Sequence, residues 1–86
     1  MTRLQRIRHE VLLQLYAARP LAVTAEAIAK RAQREADELR DLSLEEVKAE
    51  LMFLRDELLV MRNIDATGVI RYSITSKGCL LRENGE

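Results

Sequence analysis

The chain has 86 residues, 48% of them hydrophobic and 33% charged, with 14 basic and 14 acidic side chains. That length points to one domain, residues 1–86, around one core, and the composition excludes a disordered chain. Cys79 is the only cysteine, so no intramolecular disulfide forms. The charged start from Met1 to Glu10 lacks the apolar run of a secretory signal, and no stretch nears the roughly 20 apolar residues of a membrane span. A soluble cytoplasmic protein with no membrane partner is expected.

Thr2 and Gln5 make a capping box at the start of a first helix, placed at Thr2–Ala18. Leu4, Ile7, Val11 and Leu15 recur at helical spacing with Leu12 beside them, while Leu13 and Tyr16 fall off this stripe. Pro20 disfavours helical geometry at Arg19 and ends the helix. Leu21–Val23 is a short apolar link able to pair as a brief strand. Thr24 caps a second helix, Ala25–Arg34, with Glu26 in the first turn, where the helix dipole favours an anion. Its inward face, Ala25, Ile28, Ala29 and Ala32, is narrow enough for close packing. Glu35–Asp41 reads as helix or loop, anchored by Leu39.

Ser43 and Glu46 form a second capping box, and Leu42 with Val47 a hydrophobic staple across the same boundary. A third helix follows, Leu44–Glu57, with Val47, Leu51, Leu54 and Leu58 inward. Leu59–Asn63 and the alternating Val69–Thr75 read as the strands of a β-hairpin around the turn Asp65–Gly68, with Gly68 free to take positive φ. Ser76–Glu83 closes the pattern as a short helix or turn. The fold class is mainly α with a small β-hairpin.

Three helices followed by a hairpin resemble the winged helix-turn-helix layout. The residues that carry the resemblance are Val47-x-x-x-Leu51-x-x-Leu54, then Leu59-Val60, then Tyr72-x-Ile74-Thr75-x-x-Gly78. The last string is similar to the Tyr-x-Leu-Thr-x-x-Gly that ends the wing in bacterial regulators of the MarR and PadR type. More distantly, the chain resembles small winged-helix proteins of transposable bacteriophages. The resemblance implies a recognition role for the third helix and a wing tip at Asp65–Gly68. It also marks two departures. Leu58 stands where many relatives have a glycine, and the 86 residues leave no room for extra dimerisation helices.

Charge bears on the partner. Residues 1–34 carry seven basic and two acidic side chains, and residues 35–57 carry three basic and nine acidic. With Val47, Leu51 and Leu54 inward, the third helix would present Glu45, Glu46, Lys48, Ala49 and Glu50, a set that repels phosphate. Glu45 and Glu46 also serve helix capping and dipole matching. The leading expectation is a DNA-binding, transcription-regulator-type protein. Its contacts with double-stranded DNA would come from Arg62 and Arg71 of the wing, from Arg3, Arg6 and Arg8, and from Lys48. Arg3, Arg6 and Arg8 could equally pair with the acidic 35–57 segment. The alternative is a protein-interaction adaptor using Met52 and Phe53 or the carboxylates Glu45, Glu46 and Glu50, although Phe53 could instead complete the core. Leu13, Tyr16, Leu80 and Leu81 could form a homodimer face.

Nothing in the pattern supplies a catalytic set. His9 is the only histidine and has no ligand-spaced partner for a metal, and Cys79 has no neighbouring base and reads as an apolar filler. Gly68, Gly78 and Gly85 are too dispersed for a phosphate loop. No enzyme activity, cofactor, metal or small-molecule substrate is expected.

Overall fold

The computed structural model describes residues 2–84, and every α-helix in it starts at a hydroxyl cap. Thr2 opens α1 (Arg3–Ala18), its Oγ1 accepting from Gln5 N at 3.1 Å while its own N–H donates to Gln5 Oε1 at 2.9 Å. Thr24 opens α2 (Ala25–Glu35), accepting from Ala27 N at 3.2 Å. Ser43 opens α3 (Leu44–Asp56) with the reciprocal pair Glu46 N to Ser43 Oγ, 3.1 Å, and Ser43 N to Glu46 Oε1, 3.0 Å. Each such cap satisfies a free backbone donor and contributes about 1 kcal/mol.

Between α1 and α2, Val23 exchanges both backbone hydrogen bonds with Tyr72, at 2.8 and 2.7 Å. The link is thus a one-residue third strand on the hairpin. Between α2 and α3 the chain makes a single 3-10 turn, Asp37–Leu39, that sinks Leu39 fully into the core. The hairpin joins β1 (Val60–Ile64) to β2 (Ile70–Ile74), antiparallel, pairing Val60 with Ile74, Arg62 with Tyr72 and Ile64 with Ile70. Both strands are one residue inside or beyond the expected ends. The closing segment is a true helix, α4 (Ser76–Glu83), capped by Thr75.

One core gathers Ile7, Val11 and Leu15 of α1, Ile28 and Ala32 of α2, Leu39, Leu42, and Val47, Leu51 and Leu54 of α3. Leu42 and Val47 are both buried, as a staple requires. Leu4 departs from the expected stripe and is exposed, because the first turn of α1 meets its neighbour through Arg3 instead. Leu58 departs too. It is not inward but is the one non-glycine residue at positive φ among the described residues, at φ +63° and 67% exposed.

That distortion closes α3. Leu59 N donates to Leu54 O at 2.9 Å and Leu58 N to Arg55 O at 3.0 Å. This is the Schellman pattern, with Leu58 in the left-handed position that usually holds glycine, and buried Leu54 and Leu59 as its apolar pair. The missing glycine therefore leaves the helix exit unchanged and puts strain into it.

Candidate nucleic-acid interface

α3 and the hairpin form the exposed side of the molecule that the resemblance singles out. On α3, one edge is bound to α1 and the other is open. Glu50 is only 4% exposed, so it is not an outward carboxylate as expected; it receives Arg8 Nε at 2.8 Å. Glu46 receives Arg3 from Nε at 3.1 Å and from Nη2 at 3.0 Å, and Arg3 also reaches Asp41 at 3.1 Å. Arg6 pairs with Glu38 of the 3-10 turn and lies 3.5 Å from Glu10. Arg3, Arg6 and Arg8 are thus spent on the acidic 35–57 segment. The Arg3 guanidinium, helped by Ser43 N–H, holds the Glu46 carboxyl at about 2, and Arg6 lowers that of Glu38. Both stay ionised at neutral pH.

Phe53 lies on this same edge, half uncovered, with the Arg8 guanidinium 3.9 Å above its ring centroid. It does not complete the core. The opposite edge carries Lys48 and, seven residues on, Arg55, both exposed and outside every ion pair among the described residues. The outermost ridge is Glu45, Ala49, Met52 and Asp56, with Met52 at 62% exposure. Arg55 was not singled out from sequence; its spacing from Lys48 was the available signal.

The hairpin separates its two arginines. Cross-strand partners share a face, so Val60 and Ile74, Arg62 and Tyr72, and Ile64 and Ile70 lie on one side. This is the side whose base enters the core, and its Tyr72 and Ile70 line a cleft of about 310 Å³ with Lys48, Glu26 and Gly68. Arg62 therefore shares the face that looks toward Lys48. Arg71 lies on the other face with Asn63 and stands 3.6 Å from Asp65.

Asp65 organises the tip. Its Oδ1 accepts from Thr67 Oγ1 at 2.6 Å, Thr67 N at 2.8 Å and Val69 N at 3.1 Å. These bonds, the Thr67 hydroxyl first, hold its carboxyl at about 2. Gly68 supplies the φ of +85° that the turn demands.

The Tyr72–Gly78 string acquires a physical meaning here. Tyr72 pairs with Val23, Thr75 caps α4 while its Oγ1 donates to Leu58 O at 2.7 Å, and Gly78 packs on Leu59 O and the Ile74 side chain. A Cβ at residue 78 would overlap both. Together these contacts fix the wing onto the helices. Of the remaining expected surface, Leu80 is exposed, Leu81 packs partly on the core, and Tyr16 donates to Glu83 at 3.0 Å, which raises its pKa.

Helices, one-residue third strand and two-stranded hairpin in this order make a winged helix, mainly helical with a small antiparallel sheet. The likeness to solved structures points the same way. MepR, a transcription regulator of the Staphylococcus aureus multidrug efflux pump MepA, matches with a TM-score of 0.74 and 27% identity over 91% of this chain and 52% of its own. A substituted form of ZitR from Lactococcus lactis matches with a TM-score of 0.69 and 18% identity over 91% of this chain and 47% of its own. The chain spans about half the length of each. No family model and no curated protein matches it. No helix among the described residues is long and apolar enough to cross a membrane.

Proposed function

We propose that this chain is a DNA-contacting winged helix of the transcription-regulator type, with α3 and the inner face of the wing turned to the duplex. The observation that carries the reading is the partial neutralisation of α3. Two of the carboxylates that would repel phosphate, Glu46 and Glu50, are engaged by Arg3 and Arg8. What stays open is Lys48 and Arg55 on one edge, beside Glu45 and Asp56 on the outermost ridge of α3, with Arg62 on the facing side of the hairpin. The similarity to MepR, itself a transcription regulator, supports the same reading.

The test is a fluorescence-polarisation titration against a random duplex at low salt. Micromolar or tighter binding is expected, since cation–phosphate contacts supply the non-specific term. Replacing Lys48 and Arg62 together by Ala should lower the slope of log affinity against log salt by about 2, close to one per lost phosphate contact. Absence of binding at micromolar protein would overturn the reading. A second reading, protein docking through the Met52 ridge, is favoured by the exposure of Met52 beside Glu45 and Asp56. It predicts that the titration fails while Met52→Lys leaves the fold intact and abolishes partner capture.

A further inference from the structure

A second open surface uses no residue of α3. The C-terminal end of α1, the last residues of β2 and the outer side of α4 enclose an open groove of about 830 Å³. Arg19 and Pro20 form one wall, Leu80 and Glu83 the other, and Ile74 lies between them. Leu80 is 59% exposed, and Leu21, one residue beyond Pro20, is 68% exposed. Neither Arg19 nor Glu83 belongs to an ion pair among the described residues. Both are held by Tyr16 instead. The Arg19 guanidinium lies 3.7 Å from the Tyr16 ring centroid and donates to its backbone oxygen at 2.8 Å, and Glu83 accepts from its hydroxyl at 3.0 Å. One aromatic side chain thus fixes a cation and an anion on the same surface without letting them neutralise each other.

We propose that this groove is a self-association site in which a second copy of the chain docks about a two-fold axis. Leu80 of each copy enters the other's groove, and Arg19 of each copy meets Glu83 of the other. Three observations carry the choice of occupant. First, a two-fold contact needs one patch that complements itself. This patch holds an apolar projection beside a recess, and one charge of each sign on facing walls. A strongly acidic or strongly basic partner would be repelled by one of the two.

Second, the contacts with Tyr16 set both charged side chains before a partner arrives, so docking carries less ordering cost. Third, the chain has zero formal charge, so two copies approach without long-range repulsion. The other exposed apolar ridge lacks this self-complementarity. Met52 is flanked by Glu45 and Asp56, and two copies set ridge to ridge would oppose like charges. Docking through the groove also leaves Lys48, Arg55 and Arg62 uncovered, because none of them lines it.

Sedimentation velocity of the full chain over a concentration series tests the proposal. A small groove makes an interface of the weak, reversible class. The sedimentation coefficient should therefore rise from monomer to dimer in the micromolar range and go no further, because a two-fold contact closes on itself. Arg19→Glu and Glu83→Arg each set like charges across the axis twice, and each variant alone should associate at least about tenfold more weakly than the parent. An equimolar mixture of the two should recover the dimer, since every charged contact across the axis of the mixed pair joins opposite signs. Leu80→Gln puts a good helix former at an exposed site, so α4 is retained, and it should weaken association by a similar factor. Met52→Gln should leave association unchanged. Thermal melts verify that each variant folds. A parent that stays monomeric throughout the series, single charge variants that associate like the parent, or a mixture as weak as its components would overturn the proposal. So would loss of the dimer in Met52→Gln with its survival in Leu80→Gln. None of these outcomes involves DNA, so they bear on the groove alone and not on the reading of α3.

Discussion

Leu58 shows how a single residue can oppose the conformation its neighbours impose. The left-handed region costs a residue with a Cβ roughly 1–2 kcal/mol, and Leu58 is held there by the helix-closing bonds on either side of it. Its side chain is largely in solvent, so removing it gives up little packing. Glycine relieves the strain but adds freedom to the unfolded chain, an offset of about 0.4–1 kcal/mol. The balance predicts that Leu58→Gly raises stability by roughly 0.5–1 kcal/mol, read as a higher urea midpoint at unchanged slope. A lower midpoint would mean that Leu58 makes an apolar contact that outweighs its backbone. Gly78 is the converse case. Its φ is ordinary, yet Leu59 O and Ile74 leave no space for a Cβ. Gly78→Ala is therefore expected to cost about 1–3 kcal/mol, the usual penalty of overpacking.

At the scale of elements, two arginines of α1, Arg3 and Arg8, tie α1 to α3, while Arg6 pairs with the 3-10 turn. Arg8 and Glu50 form the most buried of these pairs. Removing one partner of a buried pair leaves an uncompensated charge, whereas replacing both with apolar side chains is often neutral or stabilising. Arg8→Ala should therefore cost about 2–3 kcal/mol, below the fully buried range because Arg8 is partly exposed, and Arg8→Met with Glu50→Leu should recover most of it. A cycle of denaturant melts measures the coupling; additive single effects would show that the pair does not hold α3. Glu46 gives the pair nearest the cap a pH signature. Its folded pKa of about 2 lies below the ordinary 4.5, so its contribution is complete above about pH 4.5 and lost as pH falls toward 2. Glu46→Gln should flatten the stability profile in that acid window and leave its slope near neutrality unchanged. The elements themselves were legible in the sequence, because hydroxyl caps, a staple and strand alternation are local signals. The pairing was not. Helical spacing places Glu50 beside Glu46 on a polar flank, and only the approach of α1 turns that flank inward. Glu10 and Gln14 of α1 are buried as well, bonded to one another at 2.8 Å, with Gln14 donating to Glu35 of α2 at 2.9 Å. Hairpin register likewise decided that Arg62 and Arg71 part company, although both flank the tip in sequence.

At the scale of the whole molecule, the unequal charge of the two sequence segments is largely cancelled within the fold. The basic start and the acidic middle meet across α1 and α3, leaving a chain of zero formal charge whose field is set by the cations and carboxylates outside these pairs. Electrostatic steering of a polyanion then depends on where those cations stand rather than on how many there are. This separates two classes of arginine and lysine by experiment. A cation already paired with a carboxylate releases no counterion when it meets phosphate unless the pair first breaks, so it adds little to the salt dependence of binding. Arg3→Gln removes a surface pair of small energetic weight and leaves the fold standing. Its salt slope on duplex DNA should match that of the unaltered chain, and any drop in affinity should come from the freed Glu46 charge and be uniform across sequences. Lys48→Ala and Arg62→Ala should each lower the slope by about 1. Equal slopes for all three variants would mean that the α1 arginines leave their carboxylates on binding, and that the clasp between α1 and α3 opens in the complex.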